Sequence, residues 1–249
     1  MKIIEQSAAI LDWQSLDLYR RVETAARVCR QSESKGDAAE FVRNLVKRGH
    51  YSPLEFARIK TGQNMAQNVR RLRETARDSM SALLWIGRLQ RHYPALVEDM
   101  HCPPEESGCI APDNSWIPVL ITTSRTISHQ LVRYRHEIVF MQESQRYCRY
   151  DESGIEVIVP PHMGSVSLDT LKSAVRYAEE SYRILMHQGA KAEQARAVLP
   201  GCTATRILAY ASPSEWRHIF SQRCSSHADP QMQELMYPLR DAMDERGLI

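Results

Sequence analysis

"WIPVLITTSRTISHQLVRYRHEIVFMQESQRYCRY", residues 116–150, decides the architecture. Its first nine residues have the β-branched content of a buried strand. The stretch SRTISHQLVRYR (124–135) is read as a helix entered directly from that strand. An arginine-rich polar segment follows around a short apolar run. Further strands are expected at IEVIVPP (155–161), which ends in a double proline, and at TATRILAYA (203–211). Helices separate them, so the fold class expected is mixed α/β (α+β), a central sheet flanked by helices.

On the N-terminal side, residues 15–31 place Leu16, Leu18, Val22, Ala25, Ala26 and Cys29 near one helical face. A second helix fits DAAEFVRNLVKRG (37–49), with Gly49 at its C-cap. The turn around Pro53 leads toward a possible strand. Residues 63–92 read as one or two helices, 102–115 as a Pro/Gly/Ser-rich loop, and 167–199 as a long helical region. In SPSEWRHIFSQRCSSH (212–227), Ser212, Pro213 and Glu215 form the signature of a capping box. A last amphipathic helix around residues 231–243 is expected to be interrupted at Pro238.

Composition narrows the function classes. The chain has 249 residues, 43% hydrophobic and 25% charged, which is ordinary for a globular protein. A formal net charge of +2 argues against nucleic-acid binding by bulk charge, so any basic site must be local. No run of about 18 apolar residues predicts a membrane span, and residues 1–17 lack the pattern of a signal peptide. Six cysteines without a C-x-x-C pair read as reduced thiols of a cytosolic protein. His101, Cys102 and Cys109 are the one candidate metal cluster, and their spacing matches no common zinc pattern, so no metal is expected.

The arginines carry the chemistry. On one continuous helix Gln130, Arg133 and Tyr134 would share a face, whereas Arg133 and Arg135 would lie about 200° apart. His218 and Arg223 would lie about 140° apart on theirs, facing different directions. Gln142, Ser144, Gln145 and Arg146 offer amide, hydroxyl and guanidinium groups suited to a phosphate together with a base carbonyl and imide. Arg196 sits among apolar residues, where a buried cation needs an anionic partner. A solvated polar loop, a nucleic-acid patch and an anion site all remain open on these residues alone.

The block HQLVRYRH…QESQRY resembles the core motif of the flavin-dependent thymidylate synthases, an Arg-His-Arg triplet followed by a Ser-x-Arg element. AARVCRQS (25–32), GHYSPLE (49–55), IEVIVPPHM (155–163) and ARAVLPGCTATRI…WRHIFSQRCSSHAD extend the similarity, in the family's order. The resemblance implies a single domain over residues 1–249 with a helical insertion at about 57–115. It implies a cytoplasmic homotetramer with FAD and dUMP held between subunits, and no nucleic-acid or membrane partner. The implied reaction is reductive methylation of dUMP to dTMP, with methylene-tetrahydrofolate as carbon donor and NADPH as reductant of the flavin.

Carried over by position, the flavin contacts are Ser52, Arg133, Tyr134, Arg135, Gln142, Ser212, Ser214 and His218. The nucleotide contacts are Gln130, Leu131, Val132, Arg133, Gln142, Glu143, Ser144, Gln145, Arg146, Arg196 and Arg223. Arg223 is the catalytic residue implied, stabilising negative charge at N3 of the uracil. Three departures stand out. Tyr134 takes the middle position of the triplet, where the family usually has histidine. The interval from Arg135 to Ser144 is one residue longer than usual, so HEIVFMQE must bulge or shift. Ser212 and Ser214 stand where relatives carry asparagine and arginine. Two other functions fit the same residues: a flavin enzyme acting on a different pyrimidine nucleotide, and a non-catalytic nucleotide- or RNA-binding relative.

Overall fold

The computed structural model describes residues 1–34, 36–57 and 114–249. The helices expected at 63–92, most of the 102–115 loop, nearly all of the 57–115 insertion and the His101/Cys102/Cys109 cluster lie outside the described residues. The chain divides into two compact units, one formed by Met1–Leu11, Val28–Ser32 and Trp116–Ile249, the other by Asp12–Arg27 and Glu33–Ser115.

The first unit is built on a four-stranded antiparallel sheet. Strands β2 (Ser7–Ile10), β3 (Ile117–Ser124), β4 (Ile138–Gln142) and β6 (Ala204–Ala211) lie in the order β2-β3-β6-β4. β3 and β6 pair over eight residues, from Ile117 opposite Ala211 to Ser124 opposite Ala204. A separate parallel pair joins β1 (Lys2–Ile3) to β5 (Glu156–Val157). Of the expected strand at 155–161 only this two-residue piece forms.

Side chains alternate across a strand, so Ile117, Val119 and Ile121 of β3 share one face with Ile207, Ala209 and Ala211 of β6. Three helices cover that face: α3 (Arg125–Leu131), α6 (Pro213–Arg223) and α7 (Pro230–Glu245). They contribute Ile127 and Leu131, then Trp216, Ile219 and Phe220, then Met232, Leu235, Met236, Leu239 and Met243. The indole of Trp216 also donates to the Ile117 carbonyl at 3.2 Å, which ties α6 to the start of β3. A second cluster gathers Cys148, Tyr150, Ile155 and Val157 beneath Val175 and Tyr182 of α4 (Ser165–His187).

Four sequence expectations change here. The helix entered from β3 ends at Leu131, with Val132 as its cap, rather than running to Arg135. The apolar run Ile138–Gln142 is a strand. Its ladder to β6 is regular from Ile138 opposite Ala211 to Gln142 opposite Ile207, so no bulge lies within it. The helical region expected at 167–199 breaks after His187. Gly189 there takes φ 87 and the Ala190 amide donates back to the Leu185 carbonyl, a glycine stop. A short helix α5 (Ala192–Ala195) and a 3-10 turn at Arg196–Val198 follow. Pro238 does not interrupt α7, which runs through it. Pro238 and Glu234, whose carbonyl loses the amide donor, both lie on the exposed face of the helix.

The second unit contains α2 (Ala38–Lys47) and all but the last residue of α1 (Leu18–Val28), with a 3-10 turn at Ser52–Phe56 where the turn around Pro53 was expected. Val22, Val42, Leu54 and Ala57 form its core. Asp37 caps α2 by accepting from the Ala39 amide, and Gly49, at φ 72, closes it as the sequence indicates. Glu23 is buried between Arg20 and Arg27. Burial pushes its carboxyl up, but hydrogen bonds from Arg27, Ser34 and Arg20 prevail and hold it below the ordinary value. A depressed carboxyl stabilises the fold above its unfolded value and loses that contribution as pH falls through the folded one.

Ile207 is wholly buried at the centre of the sheet. Ile207→Ala should lower the unfolding free energy by about 3 kcal/mol, read from urea denaturation. A loss below about 1 kcal/mol would show that this face is not the core.

Candidate functional site

Two serines set the site. Ser124, the last residue of β3, caps α3 by accepting from the Ile127 amide at 3.3 Å. Ser212, directly after β6, caps α6 by accepting from the Glu215 amide at 3.1 Å. The expected capping box is only half formed, because the Ser212 amide donates to the Glu137 carbonyl rather than to Glu215. The Ser212 hydroxyl donates to the Glu137 carboxylate at 2.6 Å. Ser212 is buried, and its hydroxyl accepts one of these bonds and donates the other, leaving one acceptor lone pair. Ser214 is exposed on the first turn.

The ends of α3 and α6 meet at Arg223. Its guanidinium donates from Nη1 to the Gln130 side-chain oxygen and from Nη2 to the Gln130 carbonyl, each at 3.3 Å. It also lies 5.3 Å from the centre of the Tyr134 ring, within cation–π range. His218 meets the same ring edge-on at 5.7 Å. The sequence placed His218 and Arg223 on diverging faces, yet both reach Tyr134. Arg223 ends its helix, and its long side chain turns back over the ring. The third guanidinium nitrogen, Nε, is buried and has no partner among the described residues. Burial raises the Tyr134 phenol above its ordinary value despite the pull of Arg223, so this ring stays neutral.

Because α3 stops at Leu131, Arg133 and Arg135 leave the helix and are exposed. Neither they nor the exposed Arg196 form an ion pair with a described residue. The turn that follows places Glu137 in the left-handed region, at φ 43, immediately before β4. The longer interval to Ser144 is taken up outside the regular ladder, which runs from Ile138 to Gln142. Burial raises the Glu215 carboxyl on the first turn of α6, with His218 and His136 nearby opposing the shift.

The QESQRY segment sorts into structural and available groups. The Gln142 amide donates to Ser128 at 2.8 Å and Thr205 at 3.2 Å, leaving its carbonyl oxygen for other partners. Glu143 is buried, accepting from the Tyr150 hydroxyl at 2.7 Å and from the Arg206 amide at 3.2 Å. Burial and the neighbouring carboxylate drive the Tyr150 hydroxyl far up, so it remains a donor. The side chains of Glu143 and Leu131 belong to the interior, so what either can offer a ligand is backbone. Val132, which caps α3, packs partly buried against the same core. Ser144 donates its amide to the Cys29 carbonyl at 2.9 Å. Gln145 is half-buried, and exposed Arg146 pairs with exposed Glu193 at 3.3 Å, a contact of little stabilising value. Ser52 is exposed and begins the 3-10 turn of the other unit.

Sequence reasoning passed over two residues at this site. Arg30 stacks over Tyr147 at 4.5 Å, beside the Ser144–Cys29 contact. Asp229 accepts from the Gln130 amide at 3.1 Å and caps α7. The run Asp-Pro-Gln at 229–231 is itself a helix-start signal that could have drawn attention to Asp229.

A family model described as thymidylate synthase complementing protein matches residues 117–246, just over half of the 249-residue chain. The chain belongs to this family. Within the thymidylate synthase complementing protein family, the chain is 37% identical over 117 residues to the flavin-dependent thymidylate synthase of Geobacter sulfurreducens, covering 45% of this chain and 49% of that one. It is 32% identical over 130 residues to that of Mycobacterium tuberculosis, covering 45% and 50%. The chain thus spans about half the length of the curated relatives it matches. Its fold is similar to the crystal structure of a UMP/dUMP methylase, PolB from Streptomyces cacaoi, bound with 5-Br dUMP. The TM-score is 0.52 at 17% identity, over 98% of this chain and 93% of that one.

Glu143→Ala would strand a buried tyrosine hydroxyl and remove one of the two carboxylates beside Arg206. The other, Glu156, stays at 2.8 Å, so the loss should fall near the low end for broken buried pairs, about 3 kcal/mol. Thermal denaturation measures it. An unchanged midpoint would free Glu143 for a direct role.

Proposed function

We propose that the chain is a flavin-dependent thymidylate synthase, carrying out reductive methylation of dUMP to dTMP. Methylene-tetrahydrofolate would give the carbon and NADPH the electrons. The observation that carries the reading is Arg223, braced by Gln130 and Tyr134, with donors beyond the two given to Gln130 and a buried Nε unpartnered among the described residues. An imide that becomes an anion is a fitting partner for such a group. Arg133, Arg135 and Arg196, exposed and without an ion pair among the described residues, fit ligands that carry phosphate. Family membership supports the same class of enzyme.

Bound FAD would supply hydride transfer. The residues proposed to hold it are Arg133, Arg135, Gln142 and His218, with Tyr134, Ser52 and Ser214. Gln130, Arg133, Gln142, Ser144, Gln145, Arg146 and Arg196, with the backbone of Leu131, Val132 and Glu143, are proposed to hold dUMP. Arg223 favours ionisation at uracil N3, because a fixed cation stabilises the charge that develops there. That charge, delocalised into the ring, makes C5 the nucleophile, so no cysteine is required. A single domain with an insertion at about 57–115, assembled as a cytoplasmic homotetramer, completes the reading.

The test is an anaerobic assay with dUMP, NADPH and methylene-tetrahydrofolate, followed by identification of the product. Formation of dTMP by FAD-loaded protein is expected, and its absence overturns the reading. Arg223→Ala should retain FAD and lose about 10²–10³ in rate, and near-native turnover would remove Arg223 from the chemistry.

Arg146→Ala and Arg196→Ala should each weaken dUMP binding at least about tenfold, since charge-assisted contacts contribute about 1.5–3 kcal/mol. Calorimetric titration reads this. Unchanged affinity in both variants would contradict the proposed nucleotide site.

A further inference from the structure

We infer that Asp229 is a positioning residue for Arg223, acting through the side-chain amide of Gln130; this rests on the role proposed for Arg223. Asp229 divides its carboxylate. One oxygen caps α7 by accepting from the Gln231 amide at 2.9 Å. The other accepts from the Gln130 Nε2 at 3.1 Å. Gln130 in turn presents its side-chain oxygen to Arg223 Nη1 and its carbonyl to Nη2.

The polarity of this chain is forced. A guanidinium only donates and an ionised carboxylate only accepts, whereas an amide does one at each end. Gln130 standing between them can satisfy both in one orientation alone. The opposite orientation sets its NH2 against the guanidinium and its oxygen against the carboxylate. Asp229 therefore fixes which end of Gln130 faces Arg223. With one N–H of each Nη held by Gln130 and the ring of Tyr134 against the guanidinium, its plane is fixed. Each Nη keeps a second N–H to donate, and the buried Nε has no partner among the described residues. A donor fixed in advance is worth more at a developing charge than one that must reorganise.

Asp229→Asn separates this role from capping. Asparagine caps helices as well as aspartate, so its oxygen stays on the Gln231 amide. Its NH2 then faces Gln130, which must turn its oxygen toward Asn and its NH2 toward Arg223. In the full-length, FAD-loaded protein, kcat should fall about tenfold, less than the loss for a deleted donor. KM for dUMP should rise by less than about threefold, and Tm should stay within about 2 °C. The Arg223 Nε–H resonance, assigned by its loss in Arg223→Lys, should shift and exchange faster with solvent. In a Gln130→Met background, Asp229→Asn should add nothing to that exchange, a non-additive cycle.

An unchanged Arg223 resonance in Asp229→Asn overturns the inference. So does an equal effect in the Gln130→Met background, or a fall in Tm that accounts for the lost activity. Should the wild-type protein make no dTMP, the proposed function fails by itself, and the resonance still decides whether Asp229 orders Arg223.

Discussion

The eight-residue antiparallel pairing of β3 with β6 is the constraint on which the site depends. Each strand runs straight into a helix through a capping serine, Ser124 at one end of the ladder and Ser212 at the other. Antiparallel pairing puts those serines at opposite edges, so α3 and α6 start far apart and fold back over the same face. The strands span about 27 Å, and the helices about 10 Å and 16 Å. Their C-termini must therefore meet near the middle. Two helix C-termini bring carbonyls and partial negative charge together. Arg223, in the last turn of α6, meets both needs by donating to the carbonyl of Gln130 near the end of α3.

That convergence separates the charges that hold the fold from those open to a ligand. Arg206 is closed between Glu143 and Glu156, and Glu23 between two arginines. Hydrogen bonding from Arg206 outweighs burial and holds Glu156 below the ordinary carboxylate value. Arg133, Arg135 and Arg196 instead lie exposed at chain turns, without an acidic partner among the described residues. A cation at a turn, unpaired by its own chain, is the arrangement a phosphate ligand requires. Residues 131–150 thus hold both kinds of charge within a short span, which is why their composition alone left several readings open.

Legibility followed the strength of local signals. β3 and β6 could be read because their central positions are buried on both faces and their sequences are nearly continuous in apolar and β-branched residues. The cap at Ser212 could be read because Pro213 comes directly after it. β4 could not, since its five residues sit inside a polar stretch whose arginines draw attention away from Ile138–Phe140. The end of α3 carries no glycine or proline, and Leu131 is the last buried residue of its apolar face. Angular arguments that extended that helix to Arg135 failed for the same reason. Asp229 was out of reach as a site residue because its partner is 99 positions away, a separation that only tertiary folding closes.

Tyr134 owes its position to the short helix. Beyond the last turn of α3 its ring packs against the core on one side and lies between His218 and Arg223 on the other. Histidine at this position could add a second cation beside Arg223 and would oppose it. A phenol kept neutral by burial offers an electron-rich face instead, which attracts the guanidinium. The positive charge at this point therefore rests on Arg223. Charge is thus concentrated on Arg223, which Gln130 and Tyr134 hold in place, while the flanking arginines stay exposed.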